Sequence, residues 1–453
     1  MAKILLISAN LMDEPYPVYP LGMTMVAEAV RAQGHEAREF DLLYAGEFGG
    51  RLSSLTEEFE PDIIGISIRN IDNTNSAELV ICLDGYRTLV ENLRAMTGAP
   101  IVLGGAGYSL FPEALLEETK ADYGIVGEGE RVFCDLVEML SKGVAPSDRI
   151  LSSASPLKGG EIAAANRNPE LAEYYLKRGG MLNLQTRRGC PHRCVYCTYP
   201  ALEGGTYRFR APEDVADEIE MLVKRQHADY YSITDSVFND QEGEYLRIAE
   251  EIVKRGINIP WMAFFRPGHF TTEEVNLLKK AGLSSVEWGT DASTDETLEG
   301  LNKDFTWNDV EECARIFSSS GIANAHFVIF GGPGETQATL SLGLANIERL
   351  ERCVVFAFNG IRILPKTPLY TLAMNQGIIS GGDNLLNPVF YFSPDISREM
   401  VHENVRQSFG SRPDRVYPPG KDTDKVRAFH RLGYRGPIWD LLLGKGRTRT
   451  SAK

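Results

Sequence analysis

Short apolar runs alternate along the first third of the chain with stretches whose apolar positions recur every three or four residues. Lys3–Ser8 (KILLIS) reads as a buried strand, and Met23–Gln33 as a helix closed by Gly34. His35–Phe40 follows as a second strand and Asp62–Ser67 as a third. A helix over Glu78–Met96, a fourth strand at Pro100–Leu103 and a helix over Pro112–Thr119 come next. A fifth strand at Tyr123–Val126 and a helix over Glu130–Leu140 complete the series. This alternation predicts a five-stranded parallel sheet with helices on both faces, an α/β doubly wound, flavodoxin-like domain. Such sheets bind ligands at the carboxyl ends of their strands.

Residues 141 to about 180 lose the periodicity and read as a linker wrapped on the surface. The alternation resumes at Met181–Thr186 and continues through Tyr230–Thr234, Pro260–Phe265, Ser285–Trp288, Ala325–Phe330 and Phe356–Leu364. Helices over Pro212–Gln226, Gly243–Arg255, Thr272–Lys280 and Asn308–Ser319 fall between these strands. Six strands with intervening helices suit a partial (β/α)6 barrel of the TIM type. The expected division is 1–145, a linker over 146–180, the barrel over 181–395, and a small C-terminal region over 396–453.

Charge narrows the class. Lys and Arg total 47 against 62 Asp and Glu, a net charge of −15, which is unsuited to general nucleic-acid binding. The segment from Ser411 to Lys453 is the exception, with 11 basic and 4 acidic residues. It reads either as a docking surface for an acidic partner or as a partner for the acidic remainder of the same chain. No apolar window is long enough for a transmembrane helix, and the start lacks the pattern of a signal peptide.

The seven cysteines carry the chemistry. Cys82, Cys134, Cys313 and Cys353 are scattered, whereas Cys190, Cys194 and Cys197 lie within eight residues. Clustered cysteines without an export signal point to a metal or cluster site in a reducing cytoplasm. The C-x3-C-x2-C loop directly follows the first barrel strand. Three thiolates on one loop can bind three corners of a 4Fe–4S cluster and leave one iron open to a small molecule. A zinc site would want a fourth ligand. His192 is the nearest, but it sits awkwardly between the first two cysteines.

This loop resembles the motif of the radical S-adenosylmethionine (SAM) superfamily, and the resemblance runs from about residue 181 to 395. It implies that SAM chelates the open iron and is cleaved by one-electron reduction to a 5′-deoxyadenosyl radical. Tyr196 matches the aromatic near the adenine. Asp235 ends the second barrel strand where the family carries an Asp. Asp291 and Ser293 fall in the fourth-strand segment that meets the ribose and methionyl part, and Leu301-Asn302-Lys303 resembles the segment after it. Gly332 belongs to the fifth-strand turn and Leu364 to the segment after the sixth strand, both on the adenine side. Arg266, ending the third strand, is placed either on the methionyl carboxylate or in a structural salt bridge.

The first 140 residues are similar to the cobalamin-binding domain found upstream of many such modules. The similarity implies cobalamin contacts from Asn10 and Leu11 after strand one, and from Leu21 and Gly22 at helix one. It implies further contacts from Arg69 and Asn70 after strand three, from Gly104, Gly105, Gly107 and Tyr108 after strand four, and from Gly127 and Glu128 after strand five. Glycines at these ends let a large ligand approach the backbone, although ordinary turns use them too. The Asp-x-His-x-x-Gly motif that places histidine on cobalt is absent, so the lower ligand is expected not to be histidine. Arg69 and Asn70 are the candidates for the cobalt's lower face or its tail.

The two resemblances together imply hydrogen abstraction from an unactivated carbon, followed by methyl transfer from methylcobalamin. The alternative is a radical rearrangement, cyclisation or oxidation without methyl transfer. A non-catalytic sensor would need neither the cysteine triad nor the SAM positions. The expected partners are a small-molecule or lipid-like substrate, an electron donor and an acidic carrier protein. The closing segment Gly433–Leu442 resembles a subgroup associated with lipid biosynthesis.

Overall fold

Strands form at Lys3–Ser8 (β1), Glu36–Asp41 (β2), Ile63–Ser67 (β3), Ile101–Gly104 (β4) and Tyr123–Val126 (β5), and Ile150–Ser152 (β6) adds a sixth. The computed structural model describes residues 1–48 and 51–443. Every neighbour in the order β2-β1-β3-β4-β5-β6 is parallel. Helices Leu21–Ala32 and Gly129–Ser141 bury Met23, Ala27, Val30 and Val137 against one face. Leu83–Met96 and Pro112–Thr119 bury Leu89, Leu93 and Leu115 against the other. Coverage on both faces explains why β1 and β3 read as unbroken apolar runs.

Two expectations about this half are corrected. The helix expected from Glu78 starts at Leu83. Asp72, Asn73 and Asn75 accept hydrogen bonds from the backbone N–H groups of Thr74, Val80 and Ala77, which holds the chain in turns instead. The stretch expected as a surface linker contains β6 and a helix over Pro169–Gly179 that buries Leu171, Ala172 and Tyr175. Asn168 caps that helix, with Pro169 in its first turn.

The second sheet holds Leu182–Leu184 (β7), Tyr231–Ile233 (β8), Trp261–Phe265 (β9), Leu283–Asp291 (β10), Ala323–Phe330 (β11) and Cys353–Asn359 (β12), all parallel. A seventh strand, Arg415–Val416 (β13), pairs with β12 and was not expected. Its Arg415 is buried and donates to the carbonyls of Ile347 and Leu350. Helices Thr272–Lys280 and Trp307–Ser319 begin with reciprocal caps, Thr271 with Glu274 and Thr306 with Asp309. The sheet curls on itself. Tyr16 packs both with Met181, Tyr230 and Met262 and with the cluster of Val354, Phe356 and Trp439.

The carboxyl ends of the two sheets face each other. Asp72, after β3, pairs with Arg362, after β12, at 2.9 Å, with both side chains buried. Glu128, after β5, receives Arg188 at 3.0 Å and Arg208 at 2.8 Å from a short hairpin after β7. In the basic C-terminal segment, Arg412 pairs with Glu348, Arg427 with Asp13 and Arg435 with Asp229. Its last ten residues lie outside the described residues. Among the described residues, no helix is long and apolar enough to cross a membrane.

Removing one member of the Asp72–Arg362 pair leaves a buried charge alone. Arg362→Met is expected to lower stability by about 3–5 kcal/mol. Arg362→Met with Asp72→Leu should recover most of that loss. Urea denaturation midpoints of the three proteins check this, and equal midpoints for wild type and Arg362→Met would refute it.

Candidate active site

A cavity of about 540 Å³ opens at the carboxyl ends of β1, β3, β4 and β5. Leu21, Gly22, Arg69 and Asn70 line it, as do Gly104, Gly105, Gly127 and Glu128. Gly105 is required there: its φ is +96°, and a Cβ would meet the Ile68 carbonyl oxygen at 2.5 Å. The other four residues expected to contact cobalamin do not line the cavity. Asn10 folds back onto the Met12 backbone, Leu11 is exposed, Gly107 packs on the Arg69 carbonyl, and the Tyr108 ring lies over Gly124. The domain's histidine, His35, accepts the Ala2 N–H at the opposite end of the sheet.

Arg69 is accessible from within the cavity and yet surrounded by protein, so burial lowers its pKa. The wall facing it comes from the other half of the chain. Thr198, Tyr199, Leu202 and Glu203, immediately after the third cysteine, line the same cavity, joined by Gln185 and Thr234 from the barrel mouth. Burial raises the Tyr199 phenol, with Glu203 and Cys197 adding to the rise and Arg69 opposing it. Tyr199 therefore stands between the cysteine loop and Arg69.

The cysteine loop is held from two sides. Val195 N–H donates to the Leu301 carbonyl, and Leu369 N–H donates to the Val195 carbonyl. All three cysteines are free thiols. Burial pushes Cys197 up to about 12, and the neighbouring Cys194 and Cys190 add to the rise. Among the described residues, no three Cys, His, Asp or Glu side chains gather as ligands of one ion. Three thiols close enough to raise one another's pKa, on one loop, suit the corners of a multi-iron cluster. His192 turns away: its Nε2 faces the Tyr207 hydroxyl at 3.4 Å and its Nδ1 lies 3.9 Å from Asp304.

Beside the loop, the Tyr196 hydroxyl donates to Asp291 Oδ2 at 2.7 Å. Asp291 ends β10 in the left-handed region, at φ 61°. Lys303 donates to the same carboxylate, and its Nζ lies 3.1 Å from the Tyr196 oxygen. Burial opposes the charge on Lys303, but Asp291 and Cys194 outweigh it and raise its pKa. The sequence placed Lys303 only inside a matching segment. Its contact with the cysteine loop depends on the turn after β10, which local pattern does not reveal.

The other expected SAM residues separate. Asp235 is consumed by Thr186 and Arg187, accepting both backbone N–H groups and the Thr186 hydroxyl, with the Arg187 guanidinium as an ion-pair partner at 3.6 Å. Arg266 pairs with Asp304 and lies over the Phe305 ring, the structural alternative for this residue. Ser293 is buried against Gly343 of the helix Gln337–Glu348. Gly332 lies against Ile361 and Leu301, and Leu364 packs on the main core.

The model of the radical SAM superfamily matches residues 184–341, and that of the B12-binding domain matches residues 9–137. The chain therefore joins a B12-binding domain to a radical SAM domain, the pairing found in the cobalamin-dependent radical SAM group. It is 24% identical over 426 residues to the tryptophan 2-C-methyltransferase of Streptomyces laurentii, covering 77% of this chain and 71% of that one. It is 23% identical to the cytidylyl-2-hydroxyethylphosphonate methyltransferase of Streptomyces wedmorensis, with 92% of each chain covered. The solved structure of the radical SAM methyltransferase TsrM from Kitasatospora setae, with tryptophan and a SAM analogue bound, superposes with a TM-score of 0.86. It covers 98% of both chains at 23% identity and shows the shared fold.

The cofactors of this group are a 4Fe–4S cluster, SAM and cobalamin, and the residues present fit them. The thiols are free and spaced for a cluster, and the glycine-lined cavity gives a corrin room against backbone. Replacing Cys190, Cys194 and Cys197 by Ala is expected to leave a folded protein that binds no iron after anaerobic reconstitution. Retention of about four irons would refute the assignment. Cob(II)alamin in the protein should show no nitrogen superhyperfine splitting from an axial imidazole. Electron paramagnetic resonance checks this, and such a splitting would overturn the histidine-free site.

Proposed function

We propose that the chain is a cobalamin-dependent radical SAM methyltransferase acting on an unactivated carbon of a small molecule. The observation that carries this reading is the shared cavity: the segment after Cys197 forms part of the wall of the B12-domain cavity. When bound, the cluster and SAM supply a 5′-deoxyadenosyl radical, and cobalamin supplies an exchangeable methyl group. The names of the matched relatives, both methyltransferases, support methyl transfer over rearrangement, cyclisation or oxidation.

The chain's own residues hold and shield these groups. Tyr196, Asp291 and Lys303 form a pre-set polar cluster next to Cys194, suited to the amino-acid end of SAM. Lys303 offers a cation for a carboxylate, and Asp291 an acceptor for an ammonium or a ribose hydroxyl. Gly332 and Leu364 remain candidates for the adenine side. Asp235 and Arg266 act instead through Thr186, Arg187 and Asp304, as positioning residues. Arg69 and Asn70 face the cavity from β3 and are the candidates for the cobalt's lower face. A guanidinium there would offer the cobalt no electron pair, which would favour its low oxidation states.

A one-electron donor is the partner this chemistry requires. An acidic carrier is not required, because Arg412, Arg427 and Arg435 already face carboxylates of the same chain.

Product analysis of the reconstituted enzyme tests the proposal once a substrate is in hand. Methyl transfer to a substrate radical consumes two SAM, yielding S-adenosylhomocysteine and 5′-deoxyadenosine in equal amounts. 5′-Deoxyadenosine alone would mean rearrangement or oxidation. S-Adenosylhomocysteine alone would remove the hydrogen-abstraction step. Lys303→Met is expected to raise the KM for SAM by about tenfold, corresponding to loss of one charge-assisted hydrogen bond.

A further inference from the structure

The lumen of the barrel carries an aromatic wall. On β9, Phe265 packs outward against Phe270, Trp288 and Phe317, so its neighbour Phe264 points inward. Phe264 remains 39% exposed although its strand is interior to the sheet. Phe327 on β11 and Phe358 on β12 face the same space, and both remain partly exposed. The Phe264 and Phe327 ring centroids are 6.5 Å apart, and those of Phe327 and Phe358 6.4 Å. Phe356 stacks behind Phe327 at 5.1 Å.

Beneath this wall the lumen is closed by groups from both ends of the chain. Tyr16 enters from the loop after β1, and Trp439 is buried from the C-terminal region. The Tyr16 hydroxyl donates to Glu287 Oε1 at 3.1 Å. Glu287 lies on β10 and is 1% exposed. Burial holds the Glu287 carboxyl near pH 7, well above its ordinary range. Tyr16 also packs with Met181, Tyr230 and Met262 at the base of the barrel. With its proton committed to Glu287, the Tyr16 oxygen has lone pairs left to accept a hydrogen bond from above.

We infer that this lumen is the substrate chamber and that it takes a planar aromatic molecule bearing an N–H or O–H donor. Its ring lies against Phe264, Phe327 and Phe358, and its donor meets the Tyr16 oxygen. The inference deepens the methyltransferase reading and rests on it only in calling the occupant a substrate. A flexible acyl chain would make no use of a floor that accepts a hydrogen bond. Offset or edge-on ring contacts favour an aromatic over a saturated ring of similar area.

Binding to the reconstituted full chain tests this without turnover. Phenol, anisole and cyclohexanol are the probes, followed by ligand-observed nuclear magnetic resonance. Phenol is expected to bind about tenfold tighter than anisole, which lacks the donor, and about tenfold tighter than cyclohexanol, which lacks the flat ring. Tyr16→Phe should abolish the gap between phenol and anisole while both still bind. Glu287→Gln, which can still accept the Tyr16 proton, should retain it. Phe264→Ala should narrow the gap between phenol and cyclohexanol. Equal wild-type affinity for phenol and anisole, or for phenol and cyclohexanol, would overturn the inference even if a variant failed to fold. A phenol–anisole gap that survives Tyr16→Phe would overturn the role of Tyr16. None of these outcomes depends on which products SAM gives, so the two readings stand or fall separately.

Discussion

Glu128 accepts hydrogen bonds from two guanidinium groups that reach it from the other half of the chain, and from the Leu157 N–H at 2.6 Å. Despite the cost of burial, the Leu157 N–H and the two arginines hold its carboxyl below the usual range. A second clasp, Asp72 with Arg362, closes the opposite side. These two pairs press the strand ends of a doubly wound sheet against the mouth of a curled one. Parallel sheets present their ligand-binding loops at those ends, so closing them face to face merges two cofactor sites into one space. Buried ion pairs cost desolvation and add little stability for that cost. Their value here is directional, because they set which ends meet.

Burial marks the titrating groups in and around the merged space. Burial raises Tyr16, Tyr196, Tyr199 and Cys197, and lowers Arg69. Exclusion of water protects a reactive carbon radical from side reactions. It also strengthens the few charges kept inside. Lys303 stays charged because Asp291 and Cys194 face it, and Arg69 is a cation on the cobalamin side.

Much of this was legible in the sequence where local physics decides. Pro112–Thr119, Pro212–Gln226 and Thr272–Lys280 run between the residues that periodicity and capping gave them. The apolar runs marked the sheets, and the cysteine spacing marked the cluster loop. What escaped was set by distant partners. Asp235 has the position of a ligand contact, but Thr186 and Arg187 consume its oxygens. Tyr108 sits in a glycine-rich loop, and its ring turns down over Gly124 because that glycine leaves room. Tyr199 gained its place only when the two halves closed, and Lys303 when the turn after β10 carried it to the cysteine loop. β13 is two residues long and has no periodicity to detect.

Tyr199 and Arg69 line one cavity, which would bring the cluster and cobalamin into a shared space. Electron paramagnetic resonance of the protein holding both the reduced cluster and cob(II)alamin tests it most directly. Each signal is expected to be broadened or split by the other, and the effect to be lost when the three cysteines are replaced. Two spectra that add without interaction would contradict it.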